Sequence, residues 1–289
     1  MEKQKLDTKI FYKREISEEE QALIDKRIAY CNKFVPKGYK ILNIIKKDNE
    51  DLPSAFTVVK EDDEDRYTDG ILVYTEYGIK KNIHRDMINS GLGDIQAKFK
   101  YSFDTYETKE RYQKEAKAIA MAYVNDYNNE NWFIVHGVSG SGKSHLSTSI
   151  VYGLASKGIN TKYISWVKFK NTLLDEMNYG TANDRILDII NVPVLYIDDF
   201  LKTGGDEPTR YEKDTAHRII EHRNLKNLVT IISTEWSMNE LLGFNDAMAG
   251  RIASNVNGYY YDFGKDKTRN YRISNRKSNE DIIRKMMNG

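Results

Sequence analysis

Gly137-Val138-Ser139-Gly140-Ser141-Gly142-Lys143-Ser144 decides how this chain is read. The spacing is G-x-x-x-x-G-K-S, a loop that cradles phosphate. Its glycines let successive backbone N–H groups curl around an anion with no Cβ in the way. Lys143 then sets a point charge on the β- and γ-phosphates, and the Ser144 hydroxyl suits Mg²⁺. The flanks agree with this reading. Residues 131–136 form a short apolar run, the mark of a buried strand. Residues 143–156 carry Leu146, Ile150, Val151, Leu154 and Ala155 at helical spacing. A strand, a glycine-rich turn and a helix N-terminus together make an anion site, which His145 joins at the helix start.

Composition narrows the class. The chain has 289 residues, of which 40% are hydrophobic and 30% charged, enough for two domains or one large one with a substantial core. The net charge of +1 leaves no global basic footprint, so any nucleic-acid contact has to come from a local patch. A single cysteine, Cys31, excludes an intramolecular disulfide and a Cys-based zinc cluster, and points to a reducing cytoplasm. No apolar run is long enough to span a membrane, and the first residues hold no apolar signal core, so the expected location is cytoplasmic. His84, His136, His145, His217 and His222 show no ligand pairing, since His217 and His222 are five apart rather than four. No metal is expected beyond nucleotide-bound Mg²⁺.

The chain divides by pattern into residues 1–100 and 101–289. In the first part, Ser17-Glu18-Glu19-Glu20 has the form of a capping box and opens a helix. Strand-like runs follow at 39–45, 55–60 and 71–77. The acidic run 61–65 reads as a solvated hairpin loop, and Ser90-Gly91-Leu92-Gly93 as a linker. From residue 101 the pattern turns to alternating α and β. Helices are predicted over 109–127, 143–156, 167–177, 184–190 and 209–223, and buried strands over 131–136, 161–165, 192–197 and 228–233. The implied fold is α/β, a parallel sheet with helices on both faces, preceded by a small α+β domain. About 38 residues follow Arg251, too few for a full helical lid.

Asp198 and Asp199 end an apolar strand, where a doubly wound sheet places ligand-contacting residues. One carboxylate there suits Mg²⁺ and its neighbour suits orientation of an attacking water. A pair of acids after a strand also reads as a loop start or a helix cap. The next strand ends in Ser233-Thr234-Glu235, a position to sense a γ-phosphate or simply a strand end. Arg251, in Met248-Ala249-Gly250-Arg251-Ile252 on a short helix expected after Phe244, has the chemistry to stabilise a transferring phosphoryl group, and taken alone reads as a surface ion-pair residue. Arg269 and Arg272 carry the same two readings. The stretch Trp166-Val167-Lys168-Phe169-Lys170-Asn171 mixes aromatic and basic residues. It suits a single nucleic-acid strand or, on the plainer reading, an amphipathic helix.

Taken in order, these features resemble one family. Phe103-Asp104-Thr105-Tyr106 precedes a helix, and the phosphate loop follows. Then come the Asp198-Asp199 strand, a helix introduced by Thr209-Arg210-Tyr211-Glu212, a strand ending Ser-Thr-Glu, and Ala-Gly-Arg-Ile. The sequence resembles the AAA+ P-loop ATPases of the DnaC/DnaI-type replicative helicase loaders, phage versions included, over roughly residues 101–275. The resemblance implies ATP at Gly137, Val138, Ser139, Gly140, Ser141, Gly142, Lys143, Ser144 and His145, and Mg²⁺ held through Ser144 and Asp198. It further implies that Asp199 is the catalytic acid, that Arg251 is supplied to a neighbouring subunit's ATP, and that Arg272 is a second sensing arginine. The first sensor of that family is usually Asn, and the matching residue here is Glu235, with Thr234 as the alternative. The implied partners are a replicative DNA helicase, single-stranded DNA and further copies of the same chain. IstB-type transposition helpers share this core, and an ATP-binding adaptor with little hydrolysis is a third reading.

Overall fold

The computed structural model describes residues 17–45, 52–62, 70–89, 101–177, 186, 189–204 and 206–271. Contacts between backbone positions divide the chain into two compact units, one running to Gly78 and one beginning at Ile79. The linker expected at 90–93 and the boundary expected at residue 100 lie outside the described residues.

The first unit opens with α1 (Glu18–Cys31), whose capping box is formed as expected: the Glu20 N–H donates to Ser17 Oγ and the Ser17 N–H to the Glu20 carboxylate, both at 3.2 Å. Strands β1 (Tyr39–Ile45), β2 (Ala55–Lys60) and β3 (Ile71–Tyr74) form an antiparallel meander in that order. Phe56 and Val58 of β2 pack with Ile41 and Cys31 in a small apolar core. Burial pushes the Cys31 thiol up to about 12, so it behaves as an inert apolar side chain. The third strand is shorter than the sequence predicts. It stops at Tyr74, and α2 (Glu76–Asn89) starts instead. The cause is Thr75, whose hydroxyl donates to the Pro53 carbonyl at 2.6 Å and accepts from the Gly78 N–H at 3.2 Å. That is the work of an N-cap, and it turns the chain out of the sheet. Gly78 is required at that turn, because a Cβ there would lie 1.7 Å from the Ser54 carbonyl oxygen.

The second unit carries α3 (Arg111–Asn125), β4 (Phe133–His136), α4 (Lys143–Ser156), β5 (Thr161–Ser165), α5 (Trp166–Met177) and β6 (Val194–Phe200). It continues through α6 (Arg210–Leu225), β7 (Val229–Thr234), α7 (Met238–Phe244), α8 (Asp246–Val256), β8 (Tyr260–Asp262) and a 3₁₀ turn, Lys267–Arg269. Its five strands are parallel, in the order β5-β6-β7-β4-β8. Side chains alternate between two buried faces, as a sheet covered on both sides requires. Trp132, Ile134, Leu195, Ile197 and Ile232 join a core with Phe169, Ile219 and Ile252 from α5, α6 and α8. On the other face Phe133 meets Tyr123 of α3, with ring centres 5.3 Å apart. Most of the helix predicted over 184–190 lies outside the described residues, although Ile186, Ile189 and Ile190 are buried in the first of these cores. Three short elements have no counterpart in the sequence reading: α7, the 3₁₀ turn and β8. The last of these pairs in parallel with β4 directly behind the phosphate loop.

This topology positions the site. Parallel strands deliver all their carboxyl ends to one edge, where the crevice of such a sheet forms. The loop after β4 and the acids at the end of β6 both sit there, with the end of β7 between them.

Candidate nucleotide-binding site

The loop has the backbone that its glycines predict. Gly140 and Gly142 lie at φ 76° and 101°, a region costly for any residue with a Cβ. At Gly140 a Cβ would also fall 2.0 Å from Asn270 Oδ1. The resulting curl opens into α4, whose free N–H groups and positive dipole end face an incoming anion. Lys143 is 5% exposed, and its ammonium rests on the carbonyls of Gly137 at 2.8 Å and Val138 at 2.9 Å. Burial lowers its pKa, opposed by the carboxylates of Glu235 and Asp199. The Ser141 hydroxyl is buried with no hydrogen-bond partner among the described residues. A desolvated ammonium on two carbonyls beside an unmatched hydroxyl is what a phosphate site requires, so the residues fit a bound nucleotide.

Asp198 is 2% exposed and accepts from four hydroxyls. Ser144 donates at 2.9 Å, Tyr196 at 2.7 Å and Tyr163 at 3.1 Å, and Ser233 completes the set. The sequence reading missed the two tyrosines and Ser233 as supports. The signal was present: Tyr196 is two residues before Asp198 on one strand, so both point to the same face, and Tyr163 is the register partner of Tyr196 on β5. Burial raises the pKa of both tyrosines, which keeps them protonated as donors. Ser144 and Asp198 thus bring a hydroxyl and a carboxylate oxygen together, the hard-oxygen donor set that suits Mg²⁺.

Asp199 departs from the strand. Its φ is 53°, in the left-handed region, and the β6–β7 register slips between Ile197 and Phe200. Its N–H donates to Ser233 Oγ at 3.1 Å instead of to the sheet ladder. Such a bulge re-aims a side chain, and here Asp199 joins the lining of the cleft. Lys202 follows in the same turn, with its ammonium 3.0 Å from both Asp199 and Glu235. Burial alone would lower the Lys202 pKa, but the two carboxylates outweigh it and raise it.

The cleft has a volume of about 470 Å³ and is lined by the loop from Ser139 to His145, by Asp198, Asp199, Lys202 and Glu235, and by Tyr101, Thr105 and Tyr106. That volume is of the size that holds a small-molecule ligand. His145 packs edge-on against Tyr101 and Tyr106, with centroids 5.2 and 5.1 Å away, and its Nε2 lies 3.0 Å from the Ser102 carbonyl. Burial lowers its pKa, so the neutral ring is favoured. Phe103-Asp104-Thr105-Tyr106 therefore folds against the loop.

Other sequence candidates sit elsewhere. Thr234 is buried and donates to the Phe200 carbonyl at 2.9 Å while accepting from the Trp236 N–H, a structural clasp between β6 and β7. Arg251 stands on α8, outside the lining of the cleft, paired with Glu221 at 3.1 Å. Arg269 donates to the Phe263 carbonyl at 2.6 Å and stacks over Tyr112. Arg272 lies outside the described residues. Trp166 and Phe169 are core residues, and Lys170 pairs with Glu212, so this stretch folds as the plainer, amphipathic helix.

A phosphate loop on a parallel five-stranded sheet, with an acid-bearing strand one place removed from the loop strand, defines a P-loop nucleotide-binding fold. The family profile of the bacterial DnaA ATPase domain matches residues 97–257, more than half of the sequence, and the chain belongs to that family. The uncharacterized protein YqaM of Bacillus subtilis (strain 168) is 26% identical over 203 residues, 67% of this chain and 64% of that protein. The chromosomal replication initiator protein DnaA of Leifsonia xyli subsp. xyli (strain CTCB07) is 27% identical over 167 residues, 55% of this chain and 34% of that protein. The chain thus covers less than two thirds of the length of either relative. Among solved structures, the DnaC helicase loader matches with a TM-score of 0.49 and 21% identity, covering 58% of this chain and 98% of that one. Among the described residues no helix is long and apolar enough to cross a membrane.

Proposed function

We propose that this protein is an ATP-dependent loader of a replicative DNA helicase onto single-stranded DNA, binding ATP–Mg²⁺ in the cleft and hydrolysing it where subunits adjoin. The observation that carries the nucleotide part is the convergence of Lys143, Ser144 and Asp198 at one edge of the sheet. In this reading the loop N–H groups and Lys143 hold the β- and γ-phosphates, and Ser144 and Asp198 hold the metal. Mg²⁺ bound there would neutralise charge developing on the phosphates. Asp199, released from the strand by its bulge, orients the attacking water. Glu235 borders the same space, Thr234 braces its backbone, and Arg272 remains a candidate from the sequence. The cytoplasmic location, the phage or host setting and the role of residues 1–100 in holding the helicase belong to the same proposal.

Arg251 has a specific place in it. An arginine outside its own cleft but on an accessible helix is suited to a neighbouring subunit's ATP, and its ion pair with Glu221 would open on assembly. Arg251→Ala is expected to leave ATP affinity within about twofold and to lower DNA-stimulated turnover on the order of 10³-fold. Glu221→Ala serves as the control. If both variants lose turnover equally, Arg251 is only a surface ion-pair residue. The loader assignment itself is tested by transfer of the purified helicase onto circular single-stranded DNA with and without ATP. Transfer that needs neither this protein nor ATP would refute it, and ATP-dependent capture of a transposase would support the IstB-type reading instead.

A further inference from the structure

The cleft that is read above as an ATP site has an electrostatic problem. Beside the loop it gathers the carboxylates of Asp198, Asp199 and Glu235, against the ammonium groups of Lys143 and Lys202 among the described lining residues, while Glu107 at its rim is taken up by Lys109 at 2.8 Å. A polyanion entering such a space meets like charge unless the nearest carboxylates are compensated. Asp198 is satisfied by four hydroxyl donors. Asp199 and Glu235 share one cation, Lys202, at 3.0 Å each.

The backbone around Lys202 is held in place for this. The Lys202 N–H donates to the Asp199 carbonyl at 2.9 Å, and Leu201 takes a left-handed φ of 57°. Two bonds from the end of β7 lock the turn: Thr234 Oγ1 donates to the Phe200 carbonyl at 2.9 Å, and the Trp236 indole N–H to the Leu201 carbonyl at 2.8 Å. The same segment carries Glu235. The Lys265 ammonium fixes its carbonyl at 2.9 Å. Lysine and glutamate are therefore presented to each other by one braced unit, and their pairing does not depend on two mobile surface side chains finding each other.

We propose that Lys202 is a positioning residue that makes Glu235 compatible with a bound triphosphate, cancelling its charge and holding Asp199 toward the cleft. The inference rests on the reading of this cleft as an ATP site. It gives the Glu at the end of β7 a partner in place of the neutral side chain that such a position would otherwise favour. Lys202 and Glu235 then act as one unit in which Glu235 is not expected to be tolerated without Lys202, whereas Lys202 without the Glu235 charge only adds to the attraction for a polyanion.

Binding of ATP and of ADP by calorimetry to the full chain tests this, with thermal melting as the check on folding. Lys202→Met is expected to weaken ATP binding about tenfold and ADP binding less, because the repulsion grows with ligand charge. Glu235→Gln is expected to tighten ATP binding several-fold, and the double variant Lys202→Met/Glu235→Gln to return within about threefold of the parent. Lys202→Arg, which keeps the charge, should stay within about threefold as well. A merely structural role would make both single variants weaker and the double variant worse than either. That result, or an unchanged ATP affinity in Lys202→Met, overturns the proposal. If Lys202→Met fails to fold, Glu235→Gln alone decides: weaker ATP binding in that variant refutes the pairing. Failure of the underlying reading looks different, since then the parent protein itself binds no ATP.

Discussion

Lys143→Ala is expected to weaken nucleotide binding by at least about 30-fold, without unfolding the protein. Removing one partner of a buried charge interaction costs about 2–5 kcal/mol, which is on the order of 30- to 5000-fold in affinity. The local geometry adds a second expectation. The Lys143 ammonium is desolvated and held by two carbonyls, with no carboxylate in direct contact among the described ion pairs. Its burial is a cost that a bound phosphate would offset. Alanine removes both the cost and the attraction, so the variant should melt no lower than the parent when nucleotide is absent. With ATP present at 100 times its dissociation constant the parent gains about 2.7 kcal/mol, a rise in Tm of several degrees. The variant should show a much smaller rise. An equal ATP-dependent rise in Lys143→Ala would remove the basis for the nucleotide site.

The elements that define this site were readable where local chemistry and long-range packing demand the same residues. The phosphate loop needs glycine at its positive-φ positions wherever it occurs, so Gly140 and Gly142 announce it before any tertiary contact is considered. The buried strands of the sheet announce themselves too, because both faces are covered and apolar residues run on without alternation. The helix over 209–223 follows its apolar spacing, and the structure adds a capping box between Thr209 and Glu212 at its start. What escaped was decided by packing alone. A three-residue strand such as β8 has too few residues for a period, and its pairing with β4 comes from the fold around it. At Thr75 a buried hydroxyl ends the strand inside a run that reads as strand-like to Tyr77. Lys202 looks like an ordinary turn lysine until the bulge at Asp199 and the clasp from Thr234 bring two carboxylates to it.

The bulge also explains why the two adjacent acids diverge in role. On a regular strand, successive side chains point to opposite faces, and Asp199 would face away from Asp198 into the other core. The left-handed turn at Asp199 removes it from that alternation at a cost of about 1–3 kcal/mol in backbone strain. Ser233 offsets part of this, since its hydroxyl accepts the Asp199 N–H and donates to Asp198. One serine on the intervening strand β7 thereby sets the orientation of both acids, a coupling that only the strand order β6-β7-β4 makes possible.

The largest effect on stability is expected at Arg223, the last residue of the helix predicted over 209–223. It is fully buried, and among the described residues no carboxylate pairs with it. Instead its five N–H donors are all used. Nε donates to Thr230 Oγ1 at 2.9 Å, Nη1 to the carbonyls of Ile190 at 3.0 Å and Val192 at 2.9 Å, and Nη2 to those of Pro193 at 3.3 Å and Val229. Burial lowers the guanidinium to about 9, still above neutral pH, so the group remains charged under ordinary conditions. It ties the end of α6 to the chain segments that begin β6 and β7, at the opposite end of the strands from the cleft. Arg223→Ala takes a donor from four carbonyls and a hydroxyl, of which the Pro193 carbonyl keeps the Val229 N–H at 3.1 Å, and empties the space of a large side chain. A destabilisation of about 3–5 kcal/mol is expected in denaturant unfolding. Arg223→Lys supplies three donors in place of five and should recover only part of that loss. Because the defect lies far from the phosphate loop, the folded fraction of either variant should bind ATP with the parent's affinity. A loss below about 1 kcal/mol in Arg223→Ala would mean that water satisfies these carbonyls as well as the guanidinium does, and that the strand ends are held by apolar packing alone.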